Sequence, residues 1–284
     1  MNILVTGSNG QLGSDLKDLS VSYPSYQFIF TDKEELDITQ ADVVQKFLKK
    51  RKVECVINCA GYTAVENAED DKDGATLLNA TAVRYLSEAT AKTGALMIHI
   101  STDYVFDGKH FRPYTEQDTA NPKTVYGKTK FDGEIEALFN ARRALIIRTS
   151  WLYSSHGNNF VKTVIDKARK DDELRVVFDQ TGTPTYAADL AKAILDVIPK
   201  VPPRIRAEVY NYSHEGVASW YDFAKAIIDL KGIDCKITPI LSKDIQTKAI
   251  RPHYSVLDKT RIKKDFGVVI PHWRDGLVRC LKNL

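Results

Sequence analysis

The run Met1-Asn2-Ile3-Leu4-Val5-Thr6-Gly7-Ser8-Asn9-Gly10-Gln11-Leu12-Gly13 opens the chain and decides its fold class. Ile3-Leu4-Val5 is a short, continuous apolar segment, as expected of a strand buried on both faces. Gly7, Gly10 and Gly13 follow at G-x-x-G-x-x-G spacing and lead into a helical pattern. A glycine triplet alone is a weak signal, but between a strand and a helix it has a physical reading. Gly7 permits a tight turn, Gly10 lets the backbone approach a diphosphate, and Gly13 lets helix and strand pack closely. The helix start, through Gln11 and Leu12, presents unpaired N–H groups to phosphate oxygens. The competing reading is a purely structural strand-to-helix turn.

Working outward, short apolar runs recur at 27–30, 54–58, 96–100 and 144–148, with helical patterns near 11–20, 39–51, 72–93 and 125–141. Alternating strands and helices predict an α/β fold, a Rossmann-type doubly wound parallel sheet with right-handed crossovers. Asp37-Ile38-Thr39 offers N-cap residues for the second helix. After Trp151 the rhythm changes. Helices are expected near 157–170, 186–198 and 219–230, a strand around Val209-Tyr210, and irregular segments around Pro239, Pro252 and Pro271. These imply a smaller C-terminal substrate-binding lobe capping the C-terminal edge of the sheet. The expected division is 1–150 plus about 184–215 for the dinucleotide-binding domain, and about 151–183 plus 216–284 for the lobe.

A net charge of +3 gives no strong field for nucleic acid or a membrane surface. The basic stretch 46–52 falls at a helix C-terminus, where cations complement the dipole on a solvated face. No apolar run reaches membrane-spanning length, and Ile3-Leu4-Val5 is too short for a signal peptide. Cys55, Cys59, Cys235 and Cys280 lack the clustering of a zinc site and suit free thiols in a reducing cytosol.

The second strand ends at Thr31-Asp32-Lys33. An acidic residue about 20 positions past the glycines suits a ribose diol. Asp32 favours NAD(H), whereas Lys33 beside it can pair with a 2′-phosphate and admit NADP(H). Asp37 and Ile38 fall where the chain passes the adenine, and Asp37 also reads as a helix cap. The third strand ends in small residues, so Gly61, Tyr62 and Thr63 are cofactor candidates; Asn79 on the next helix reads equally as helix surface.

Tyr126-Gly127-Lys128-Thr129-Lys130 holds Tyr-x-x-x-Lys on a predicted helix, with both side chains on one face. A free phenol, with a pKa of about 10, is a poor acid–base catalyst at neutral pH. An ammonium about 5 Å away at an effective dielectric of ~20 favours phenolate by roughly 3 kcal/mol, or about two pKa units. Lys130 can also hold a nicotinamide ribose. Ser101-Thr102-Asp103 ends the fourth strand on the same edge, where the Thr102 hydroxyl can hydrogen-bond a substrate carbonyl.

Together with Tyr104-Val105-Phe106, Arg148-Thr149-Ser150-Trp151-Leu152-Tyr153, Gly157-Asn158-Asn159-Phe160, Asp179-Gln180-Thr181-Gly182-Thr183-Pro184-Thr185 and Arg251-Pro252-His253, these motifs make nearly the whole chain resemble the extended short-chain dehydrogenase/reductases. Within them, the chain is similar to the dTDP-4-dehydrorhamnose reductase family. The resemblance implies NADPH-dependent reduction of the C4 keto group of dTDP-4-dehydro-L-rhamnose to dTDP-L-rhamnose, a cell-surface polysaccharide precursor. It implies Tyr126 as proton donor, Lys130 as its tuning and ribose-binding partner, and Thr102 as the group orienting the keto oxygen. Asp103, Trp151, Asn159 and Arg251 become sugar-nucleotide contacts; packing for Trp151 and a surface ion pair for Arg251 are the competing readings. Some relatives bind Mg²⁺ at a dimer interface through carboxylates. Asp15 matches one such position, but Pro184-Thr185-Tyr186-Ala187-Ala188 has alanine where another is needed, so no metal is expected.

Two rivals remain at this stage. An epimerase or 4,6-dehydratase shares the fold, but related dehydratases carry Asp-Glu where this chain has Asp103-Tyr104. A non-catalytic regulatory subunit, like that of methionine adenosyltransferase, fits poorly with Thr102, Tyr126 and Lys130 occurring together.

Overall fold

The computed structural model describes all of residues 1–284. Six strands form one parallel sheet: β1 (Asn2–Thr6), β2 (Gln27–Thr31), β3 (Cys55–Asn58), β4 (Leu96–Thr102), β5 (Ala144–Thr149) and β6 (Ala207–Asn211). Their spatial order is β2-β1-β3-β4-β5-β6. The continuous apolar runs arise because both faces are covered. Ile3, Val5, Ile57, Ile98 and Ile147 pack with Leu12 and Leu16 of the helix Gln11–Leu19 and with the helix Ala187–Val197. Leu4, Val56, Met97 and Ile146 point the other way, against Val44 and Leu48 of the helix Ala41–Lys50 and Val83 and Leu86 of the helix Ala82–Thr93. The chain reverses direction across the sheet between β1 and β3, the switch point where a crevice opens beyond the strand ends.

A second core gathers Tyr153, Val161, Phe223, Ile227, Trp273 and Leu277 in the smaller lobe. Three features of this half escape its sequence pattern. Glu173–Val177 and Lys236–Ile240 form a two-stranded parallel ladder. Pro239 is tolerated there because each strand has a free edge. Trp273–Lys282 is a helix, N-capped by the His272 side chain. Ile262, Phe266 and Ile270 pack into the main-sheet core, so this stretch of the expected lobe returns to the dinucleotide-binding half.

Two local expectations are corrected. The helix expected at 39–51 spans Ala41–Lys50 with Gln40 at its N-cap and no side-chain cap. Asp37 does not cap that helix; it accepts hydrogen bonds from the Thr39 N–H and hydroxyl, which hold its carboxyl below the usual range. The helix expected at 72–93 is interrupted by a π-helical turn, Leu77–Thr81, a local form frequent at functional sites.

Candidate active site

A cleft of about 1000 Å³ runs from the glycine turn, past the ends of β3 and β4, to aromatic rings of the smaller lobe. At its first end Gly7 has φ +65°, and a Cβ there would lie 2.6 Å from the Ala60 nitrogen. Only glycine lets the turn approach β3 so closely. Gly10 is the N-cap of the following helix and supplies no side chain to its first N–H groups. An uncapped, positively polarised helix end open to the cleft is what a diphosphate requires.

Gly7, Gly10, Gln11, Leu12, Gly13, Asp32, Lys33, Asp37, Ile38, Gly61 and Thr63 all line this cleft. Asp32 also has a structural duty, accepting from the Asn9 and Lys33 backbone N–H groups. Tyr62 is the exception: its side chain is not among the lining groups, and its backbone N–H and carbonyl are clasped by the Asn79 amide. Asn79, fully buried in the π turn, also donates to the Thr129 hydroxyl. It therefore ties the end of β3 to the helix Val125–Asn140 and is not helix surface.

That helix begins at a Thr124 cap and carries Tyr126 and Lys130 into the cleft. Thr102, at the end of β4, donates to Asp103 Oδ1 at 3.0 Å and accepts from the Tyr104 N–H. It also faces Tyr126, where its hydroxyl favours the phenolate. Burial outweighs that help and, with the nearby Asp103 charge, pushes the Tyr126 phenol up to about 12. The expected downward shift driven by Lys130 is thus corrected. Lys130 instead donates to the Ile100 carbonyl at 2.5 Å, and burial lowers its pKa to about 8. Tyr126 at neutral pH is a phenol, the proton-donating form, and Lys130 is largely an ammonium. Burial also raises Asp103 to about 6; its Oδ2 lacks a hydrogen-bond partner.

At the far end Trp151 adopts φ +48° and stacks on Trp220, with ring centroids 3.6 Å apart and planes within 5°. Phe160 braces Trp220 at 4.7 Å. Trp220 was not anticipated; only the folded lobe brings it to Trp151. Two expected contacts are already engaged. Asn159 caps the helix Phe160–Ala168 through Lys162 N and donates to Gln11 and to the Ser154 carbonyl. Arg251 pairs with Glu66 at 2.9 Å on the rim. Asp15, Asp18 and His156 lie close enough to share an ion, but they already bond within the chain: Asp15 accepts from Ser154, and His156 pairs with Asp18.

A parallel sheet with a glycine turn at its switch point, and a threonine, tyrosine and lysine lining the cleft beyond its strand ends, defines a dinucleotide-dependent reductase of the short-chain dehydrogenase class. The family described as RmlD substrate binding domain matches residues 1–284. The dTDP-4-dehydrorhamnose reductase of Aggregatibacter actinomycetemcomitans is 39% identical, over 99% of this chain and 97% of its own length. A crystal structure of a dTDP-4-dehydrorhamnose reductase from Clostridium acetobutylicum superposes with a TM-score of 0.95 at 41% identity, over 99% of both chains. One from Bacillus anthracis, in complex with NADP, gives 0.95 at 35%, over 100% of this chain and 99% of that one. The chain belongs to the RmlD family, that of the dTDP-4-dehydrorhamnose reductases. No helix in it is long and apolar enough to cross a membrane.

Proposed function

We propose that this chain reduces the C4 keto group of dTDP-4-dehydro-L-rhamnose with NADPH, giving dTDP-L-rhamnose. The observation that carries the reading is that Thr102, Tyr126 and Lys130 line the same cleft as the glycine turn, with Tyr126 and Lys130 one helical turn apart. The bound dinucleotide supplies hydride to the sugar carbon. Thr102 turns its one O–H from Asp103 to the keto oxygen and orients it, and Tyr126 transfers its phenolic proton to that oxygen as negative charge develops there; solvent then restores the phenol. Lys130 holds the nicotinamide ribose with its ammonium. Asp103, beside Thr102 on the cleft wall, and Trp151 contact the sugar nucleotide. The cofactor assignment draws on the NADP bound to the Bacillus anthracis relative. All four cysteines are unpaired, which suits a reducing compartment, and we place the reaction in the cytosol.

The test is spectrophotometric: protein, NADPH and the keto-sugar nucleotide are mixed, and the reduced-nicotinamide absorbance is followed. The expected result is a stoichiometric decay with dTDP-L-rhamnose as product. Tight NADPH binding without any decay would instead support a regulatory, non-catalytic chain.

A further inference from the structure

The face of the helix that carries Tyr126 and Lys130 continues one turn further to Glu134, at the next i+4 position. This carboxylate is 0% exposed. A buried charge persists only where strong partners meet it. Here Arg148 grips it with two bonds, Nε to Oε1 at 2.8 Å and Nη2 to Oε2 at 2.6 Å, and Ser101 donates to Oε1 at 2.5 Å. Ser101 and Arg148 are register partners on β4 and β5, and Ser101 immediately precedes Thr102. The Arg148 guanidinium lies over the Phe106 ring, 5.0 Å from its centroid. Neither Glu134 nor Arg148 lines the cleft.

Two consequences follow. One carboxylate bonded to two adjacent strands fixes the helix along the sheet edge that holds Thr102. The same carboxylate bears on Lys130. The groups facing that ammonium are Glu134 from its own helix, Cys59 beyond β3, and His99 with the Ile100 carbonyl from β4. Burial holds Cys59 as a thiol, pushed up to about 12, and His99 as a neutral ring. Glu134 is therefore the negative charge that opposes desolvation of Lys130.

We propose that Glu134 is a positioning residue of this site: clamped by Arg148 and Ser101, it sets the Tyr126–Lys130 face against Thr102 and places a carboxylate one helical turn from the Lys130 ammonium. The inference rests on the reading above that Tyr126 and Lys130 carry the reduction. The test compares the pH dependence of NADPH binding and of kcat/KM in three variants. Glu134→Gln keeps the shape and loses the charge. Its alkaline limb is expected to move down by about one pH unit, with kcat at pH 8 reduced about fivefold and KM for the sugar nucleotide little changed. Glu134→Leu combined with Arg148→Met replaces the pair with apolar groups, which commonly restores folding stability; it should melt near the parent yet keep the lowered limb. A parent-like pH profile in either folded variant would overturn the proposal. Tyr126→Phe separates this from the underlying reading. If that variant is inactive while the limb of Glu134→Gln is unmoved, only the role of Glu134 fails; if it is fully active, the reading of the site itself fails.

Discussion

Replacing Gly182 by alanine tests whether the Trp151–Trp220 stack shapes the substrate end of the cleft. A Cβ on Gly182 would lie 2.6 Å from Trp151 Cε2, 2.7 Å from its Nε1 and 2.7 Å from Ser255 Oγ. Ordinary carbon contacts fall at about 3.5–4.0 Å, so the indole must retreat by roughly 1 Å. It has little room to do so. One face of the indole is already held by Trp220 at stacking distance, 3.6 Å between centroids, and Trp220 is itself braced by Phe160. Pivoting about the backbone is also costly, because Trp151 already sits at φ +48°, a region a bulky residue rarely adopts. Overpacking of this kind costs about 1–3 kcal/mol, and the braced stack points to the upper part of that range. Since the displaced ring lines the cleft, KM for the sugar nucleotide should rise about tenfold, equivalent to about 1.4 kcal/mol. NADPH affinity should hold, because the glycine turn lies at the other end. Urea unfolding followed by tryptophan fluorescence gives the stability change, and steady-state kinetics give the two affinities. In a Trp151→Ala background the same alanine should cost much less, a coupling that a double-mutant cycle measures. Parent stability and parent KM in Gly182→Ala would refute the argument, as would a loss confined to NADPH binding.

Three further outcomes are expected. Tyr126→Phe should retain NADPH binding in a fluorescence titration and lose turnover by roughly 10²–10⁴-fold, the scale of a general acid; near-normal turnover would remove the phenol from the chemistry. Gly7→Ala should abolish measurable NADPH binding and lower the melting temperature, since it meets both a φ of +65° and the Ala60 backbone at 2.6 Å; tight binding by that variant would contradict the turn's assignment. Lys130, lowered by burial from the usual 10.5 to about 8, should give the free protein an NADPH affinity that falls from about pH 8 upward, roughly tenfold per unit once the ammonium is the minority form. The sign for stability is opposite. The folded chain binds fewer protons than the unfolded chain between about 8 and 10.5, so this group's contribution to stability rises with pH across that window. Binding that stays flat from pH 7 to 9.5 in the folded protein would argue against a charged Lys130 in the cofactor site.

Local patterning explains why the first half of the fold is legible in the chain. Each central strand is apolar on both faces, because helices cover both, and such runs stand out against the amphipathic helices between them. The glycine turn is legible for a similar reason: its geometry depends on missing side chains within seven consecutive residues. The smaller lobe lacks these signals. Its ladder pairs Glu173–Val177 with a strand more than sixty residues away, and each strand is interrupted by exposed positions instead of running continuously apolar.

The Tyr126–Lys130 pair shows the limit most sharply. Helical spacing places both side chains on one face, and the structure agrees. Spacing cannot say which acceptor the ammonium takes, nor how far each group is desolvated. Lys130 turns to the carbonyl of Ile100, thirty residues earlier, and burial moves both groups away from their charged forms, against the direction that their separation alone predicts. Trp220 and Glu134 were missed on the same principle. One meets Trp151 across a lobe, the other meets Arg148 across a helix–sheet interface, and neither pairing leaves a trace in local order. The residues proposed to carry the chemistry are therefore readable as motifs, while their packing partners become visible only once distant segments are brought together.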